Sequence, residues 1–190
     1  MKQLRMVLPK SKNFERIEIP DGYEIRNFER GDEEEYISLL SNNELGEWNL
    51  EKLQKTILDN TLSPEGIFFC VYSNKIIGTA CGLDKGFYNN RKIAELGWVC
   101  VDKNHRGKGL GYFLCFYVIQ FLRKRKYEII YLLTDPFRIG AIKTYFKLGF
   151  VPVIESEEDF SRWDEVSKNL NLKIDYFLKS MDLFKFEKIG

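Results

Sequence analysis

Histidine is almost missing from this sequence: His105 is the only one among 190 residues. None of the four cysteines is paired in Cys-x-x-Cys spacing, so a Cys/His zinc site of the usual kind is excluded and no metal is expected. A surplus of one charge is lacking too. Twenty-nine basic side chains stand against twenty-eight acidic ones, for a net charge of +1. That balance offers no footprint for gripping a phosphate backbone over a whole face, which argues against a nucleic-acid partner. Long apolar runs are also missing. The longest, Gly111–Ile119, is about half a membrane span, and a basic run, Arg123–Lys126, follows it. The first ten residues hold too short an apolar stretch for a secretory signal. No repeat, low-complexity segment or Pro/Gly/Ser-rich linker divides the chain. These gaps together lead to the expectation of a soluble, cytoplasmic protein with no membrane partner.

What is present is an ordinary globular balance, with 44% apolar, 30% charged and 15% aromatic residues. At about 150 residues per domain, residues 1–190 are expected to form one domain. Cys70, Cys81, Cys100 and Cys115 all have hydrophobic neighbours and read as buried free thiols in a reducing compartment.

Pro20-Asp21-Gly22 is a turn signal, and Tyr23–Phe28 alternates as a half-buried strand does. Asp32 can cap a helix carrying Tyr36, Leu39 and Leu40, and Leu50, Leu53, Ile57 and Leu58 mark a second one. Ile67–Tyr72 and Ile76–Leu83 form a hairpin around Ser73-Asn74. A loop with Tyr88-Asn89-Asn90 leads to a strand over Ile93–Val101, then a loop to Gly109 and a nearly all-apolar helix to Lys126. Strand Glu128–Thr134, helix Ile139–Leu148 and strand Phe150–Ile154 follow. The order predicts an α/β (α+β) mixed sheet with helices on its faces. Phe160–Val166 reads as an added amphipathic turn or helix. Ile174, Tyr176, Phe177, Leu178, Met181, Leu183, Phe184 and Phe186 make the tail apolar enough either to complete the sheet or to contact a second subunit.

Arg106-Gly107-Lys108-Gly109-Leu110-Gly111 stands between a strand and the long helix. Glycines let backbone approach a ligand closely, and a helix start presents free N–H groups with partial positive charge. The run reads either as a pyrophosphate cradle or as a mere tight turn. The P-loop pattern fails because Gly109 follows Lys108, and the dinucleotide pattern fails at Tyr112.

Arg106-x-x-Gly109-x-Gly111, preceded by Ala94–Val101, resembles the acyl-coenzyme A binding motif of the GNAT superfamily of N-acetyltransferases. Ala141–Phe150 is similar to the second signature of that superfamily. The resemblance covers about residues 22–154 and leaves 155–190 as a C-terminal extension. It implies a GNAT-like, mostly antiparallel sheet splayed at its central strands, with helices on both faces. It also implies transfer of an acetyl group from acetyl-CoA to a primary amine by direct attack in a ternary complex.

The same resemblance implies roles for individual residues. Val99, Cys100 and Val101 would pair with the pantetheine arm. Amides from Gly107, Lys108, Gly109, Leu110 and Gly111 would bind the pyrophosphate, with Arg106 and Lys108 adding charge. The Val99 N–H would polarise the thioester oxygen. Glu95 matches a glutamate that some members use as base, and otherwise reads as a salt-bridged or solvent-facing carboxylate. Tyr145 matches the family's general acid, and otherwise reads as a core aromatic. Arg138 departs from the pattern, standing where members often carry Asn, and could reach a phosphate instead. His105 reads as an exposed loop residue. The acceptor would be a small-molecule or peptide amine, met by residues 32–60 and by loops near the sheet opening, where Trp48, Tyr88 and Asn89 either contribute or serve packing and turn chemistry. The acidic run Glu155, Glu157, Glu158 and Asp159 either attracts a cationic amine or forms a solvated face. The protein would act as a monomer or homodimer. A non-catalytic acyl-CoA binding or sensor module on the same fold is the alternative. A nucleotide-dependent oxidoreductase is disfavoured by the missing third glycine and by antiparallel strands before the loop.

Overall fold

The computed structural model describes residues 3–10, 18–43, 45–171, 176–179 and 186–189, the last two stretches as backbone alone. Strands β1 (Leu4–Leu8), β2 (Tyr23–Asn27), β3 (Ile67–Tyr72), β4 (Lys75–Tyr88), β5 (Arg91–Val101), β6 (Ile129–Thr134), β7 (Val151–Ile154), β8 (Tyr176–Lys179) and β9 (Phe186–Ile189) alternate with five α-helices. These are α1 (Glu33–Ser41), α2 (Leu50–Thr56), α3 (Leu110–Lys124), α4 (Ile139–Leu148) and α5 (Glu157–Leu170). The expected mixed, mostly antiparallel class is what forms. The chain divides into two compact units, Asn13–Ile130 and Met1–Lys12 with Tyr131–Gly190.

In the first unit β2, β3, β4 and β5 lie side by side, each antiparallel to the next. Their hairpins turn at Ser73-Asn74 and Asn89-Asn90, all four residues having positive φ. That is the geometry whose twist suits a two-residue hairpin. Asn89-Asn90 is therefore a tight turn rather than a loop, and β4 and β5 run on to Tyr88 and Arg91.

Successive residues of β4 face opposite sides, and each side meets different helices. Glycine at 78 and 82 admits α3: a Cβ on Gly78 would lie 3.0 Å from Leu114 Cδ1, and one on Gly82 2.9 Å from Leu122 Cδ2. Cys81 and Leu83 face the other way and join Tyr36, Leu39, Leu40, Leu53, Ile57 and Phe69 in one buried cluster. Each aliphatic side chain so buried contributes about 1.5–3 kcal/mol. Helix α3 buries a stripe containing Leu114, Val118, Ile119 and Leu122, while Tyr112, Phe113 and Phe116 on its flanks stay half-buried. It is less enclosed than its composition predicts. All four cysteines are free and buried; burial pushes the Cys70 thiol up to about 12 and lifts those of Cys81 and Cys115 further. Asp32 stands at the start of α1 without capping it. Its carboxylate accepts from both Arg26 Nη atoms, at 2.7 and 2.8 Å, and from the Glu29 N–H.

In the second unit β1 lies between β6 and β7 and pairs antiparallel with β7, Arg5 opposite Val153. No periodicity marks it, because Leu-Arg-Met-Val-Leu is buried almost throughout and shows no alternation. β8 pairs parallel with β7, and β9 antiparallel with β8, so backbone from the tail does extend the strand set. Ile174, Met181, Leu183 and Phe184 lie outside the described residues. Helix α4 ends at Gly149, whose φ of 88° allows its N–H to reach Phe146 O at 2.8 Å. The expected turn or helix near Phe160 is α5, capped by Ser156 Oγ accepting from the Asp159 N–H. Its acidic first turn suits the positive end of the helix dipole. Glu155 pairs with Arg5, and Asp159 is buried 3.8 Å from Arg162, so these two carboxylates do not belong to a solvated face.

Candidate active site

Strand β5 carries an irregularity at its centre. Thr79 is opposite Cys100 and Cys81 is opposite Gly97, so Ala80 alone faces both Trp98 and Val99. This is a β-bulge, which interrupts the ladder and re-aims the residues in it. Trp98 takes a φ of 53° there. A bulky side chain in that region costs about 1–3 kcal/mol and persists only where its surroundings hold it. The surroundings come from the segment between α1 and α2. Trp48 meets the Trp98 ring edge-on at 4.8 Å, donates from Nε1 to Leu45 O at 3.0 Å, and carries the Lys52 ammonium over its face at 4.6 Å.

Glu95 precedes the bulge, with its side chain only 17% exposed. Its Oε2 lies 3.2 Å from Lys85 Nζ, and its Oε1 lies 3.6 Å from where a Gly97 Cβ would stand. The carboxylate thus lies beside Gly97 while paired to a lysine on β4. Lys85 was not foreseen. Continuing the hairpin register from Tyr88–Arg91 and Phe87–Lys92 would not place Leu83 opposite Glu95; a second shift between Asp84 and Phe87 does.

After Val101 the chain makes a short turn over Lys103–His105, with Asp102 accepting from the Asn104 N–H. Gly107 and Gly109 follow at φ 81° and 78°, and α3 begins at Leu110. Only glycine takes such angles without strain. A Cβ on Gly107 or Gly111 would meet nothing within 4 Å. Open backbone, positive φ and a helix start coincide here, the features that suit a phosphate cradle.

The basic side chains of this loop are engaged. Arg106 donates from Nε to Val101 O at 3.1 Å and from Nη2 to Asn43 Oδ1 at 3.4 Å, tying the end of β5 to the segment after α1. Lys108 Nζ donates to the Tyr23 hydroxyl at 2.6 Å, and that bond holds the lysine above its ordinary pKa. His105 Nδ1 lies 3.0 Å from the same hydroxyl, and both Tyr23 and His105 pack on Tyr72. His105 is therefore half-buried in an aromatic cluster rather than an exposed loop residue. Neither tyrosine carried a signal in the sequence, since the cluster joins residues far apart in the chain.

Two further candidates belong to the other unit. Tyr145 is buried on α4, its ring 6.1 Å from that of Phe150. Arg138 precedes α4, with Nε 3.1 Å from Asp135 Oδ2 and its guanidinium 5.6 Å from the Phe137 ring centre. Among the described residues no three His, Cys, Asp or Glu side chains are placed to hold a metal ion. Nor, among them, is any helix long and apolar enough to cross a membrane.

Comparison with known proteins bears on this geometry. The model of the acetyltransferase (GNAT) family matches residues 23–150. The mycothiol acetyltransferase of Thermobispora bispora is 31% identical over 147 residues, which are 70% of this chain and 48% of that protein. A GCN5-related N-acetyltransferase from Sphaerobacter thermophilus superposes with a TM-score of 0.64 at 20% identity, over 80% of this chain and 49% of that one. A chain of the NatC complex bound to Gag peptide and CoA superposes with a TM-score of 0.59 at 19% identity, over 66% of this chain and 82% of that one. The chain spans about half the length of the curated relatives it matches.

Proposed function

The chain belongs to the GNAT family of acetyltransferases, and from that premise we propose that it transfers an acetyl group from acetyl-CoA to a primary amine. The observation that carries this reading is the continuous run from the Trp98–Val99 bulge through Gly107 and Gly109 into α3. A protein of the same fold is solved with CoA, which supports coenzyme A as the acyl carrier.

In this reading the amides from Gly107 to Gly111 receive the pyrophosphate, and backbone at Val99, Cys100 and Val101 pairs with the pantetheine arm. Arg106 braces the loop through Val101 and Asn43 while adding positive charge. Lys108, exposed beside Tyr23, adds a second positive charge. Arg138 reaches a phosphate in place of the usual Asn. The acceptor is a small-molecule or peptide amine. An alkylammonium has a pKa of about 10, so it must lose a proton before it can attack. Glu95 takes that proton, directly or through water. The amine lone pair then forms the C–N bond, and the thioester oxygen collects charge at the Val99 N–H. The C–S bond breaks as the intermediate collapses, and Tyr145 protonates the leaving thiolate. Direct attack in a ternary complex leaves no acylated enzyme on the pathway.

Following thiol release from acetyl-CoA with a panel of primary amines tests the proposal. Release that depends on both amine and enzyme is expected. Retained coenzyme A binding with no release from any amine would leave a binding module instead.

A further inference from the structure

Lys85 stands out among the lysines of the described residues by its partner. The ammonium of Lys55 pairs with Glu51 on an open helix face, both side chains more than 70% exposed. Lys52 is held over Trp48 and donates to Glu47 O, and Lys108 is held above its ordinary pKa by Tyr23. Lys85 is two-thirds covered, and its ammonium lies 3.2 Å from the carboxylate assigned above as the base. That carboxylate lies beside Gly97, two residues before Val99, whose N–H would polarise the thioester carbonyl. The strand shift between Asp84 and Phe87, with Gly86 at φ 71°, brings the lysine to this place. A lysine ammonium on a flexible four-carbon stem is also chemically an acceptor of the kind this reaction uses.

From this juxtaposition we propose that Lys85 is a site of self-acetylation, an inference that rests on the acetyltransferase reading above. Glu95 removes a proton from the Lys85 ammonium, and the freed Nζ attacks the acetyl carbonyl. The C–N bond forms as the C–S bond breaks, the leaving thiolate takes up the second proton of the nitrogen, and Glu95 passes its proton to water, leaving an amide on Lys85 and the coenzyme A thiol. The product has no positive charge, so the Lys85–Glu95 ion pair is lost.

Intact-mass and peptide mass spectrometry of the full chain incubated with acetyl-CoA tests this. The expected result is one acetyl group on Lys85, acquired at a rate independent of protein concentration and faster than on Lys55. An acetyl group already on Lys85 of freshly purified protein counts as the same result. Glu95→Gln should slow the labelling by about a hundredfold, the low end of what a general base contributes. Gly111→Glu, which sets a negative charge in the proposed cradle, should abolish it. Lys85→Arg should carry no label while keeping a cation beside Glu95. Labelling of Lys85 no faster than Lys55, or equal in the Gly111→Glu variant, overturns the inference, because it is then solution chemistry. Thiol release with added amines and no label on Lys85 overturns self-acetylation alone. Absence of both overturns the acetyltransferase reading with it.

Discussion

Trp48 and Trp98 meet edge to face, their ring centres 4.8 Å apart and their planes at 88°. One sits between α1 and α2, the other on the bulge of β5 at a φ that tryptophan rarely takes. The contact therefore couples the helical segment to the strand that carries Val99. Trp48→Ala should cost about 3–5 kcal/mol, the range for removing a buried large aromatic. In a double-mutant cycle with Trp98→Ala, urea unfolding should show a coupling of about 0.5–1.5 kcal/mol. Strictly additive losses would mean that the two rings do not support each other.

Two glycines of β4 separate crowding from backbone strain. Gly82→Ala puts a methyl group 2.9 Å from Leu122 Cδ2 at an ordinary φ, and overpacking of that kind costs about 1–3 kcal/mol. Gly86→Ala meets nothing within 4 Å but forces φ 71° on alanine, which costs about 1–2 kcal/mol. Measured against Leu122→Ala, whose own truncation costs about 2–5 kcal/mol, the Gly82→Ala loss should shrink and the Gly86→Ala loss should not. Thermal unfolding of the three single and two double variants measures this.

Asp32 gives stability a handle on acid. Its hydrogen bonds from Arg26 hold its carboxyl below the usual carboxylate range. The folded state therefore binds this proton less readily than the unfolded state, and the stabilisation is fully present above a pH of about 4. It is lost as pH falls through the lowered value. Asp32→Asn should lower stability at neutral pH and flatten the acid limb of a stability–pH curve. An unchanged acid limb would contradict the assignment.

Much of this arrangement was legible in the sequence, for reasons particular to each part. The apolar run Ile67–Tyr72 and the Ser73-Asn74 turn mark a hairpin locally, and glycines at 107 and 109 announce a turn. What escaped depends on pairing between distant residues. β1 escaped because a strand buried on both faces shows no period. The bulge at Trp98–Val99 escaped because it is defined only against Ala80 on the neighbouring strand. The Lys85–Glu95 pair escaped because a register shift, itself invisible, sets it. The Tyr23–Lys108–His105 cluster escaped because no local rule links its members.

Tyr145→Phe removes only a hydroxyl from a buried ring that packs on Phe150. The expected outcome is a fall in kcat of about 10²–10⁴-fold, the range for a general acid, with melting temperature and acetyl-CoA affinity nearly unchanged. Parental kcat in the Phe variant would return Tyr145 to a packing role.

The measurement that bears most directly on the central claim is calorimetric binding of acetyl-CoA to the wild type and to Gly111→Glu. Gly111 lies in the first turn of α3 at an ordinary φ, with open space where a side chain would go. A carboxylate there favours the helix by about 0.3–1 kcal/mol, so the variant should fold at least as well as the parent. The same charge would repel a pyrophosphate bound at the helix start. The account predicts clear binding to the wild type and none to a variant of equal or higher melting temperature. Parental affinity in that folded variant would contradict it.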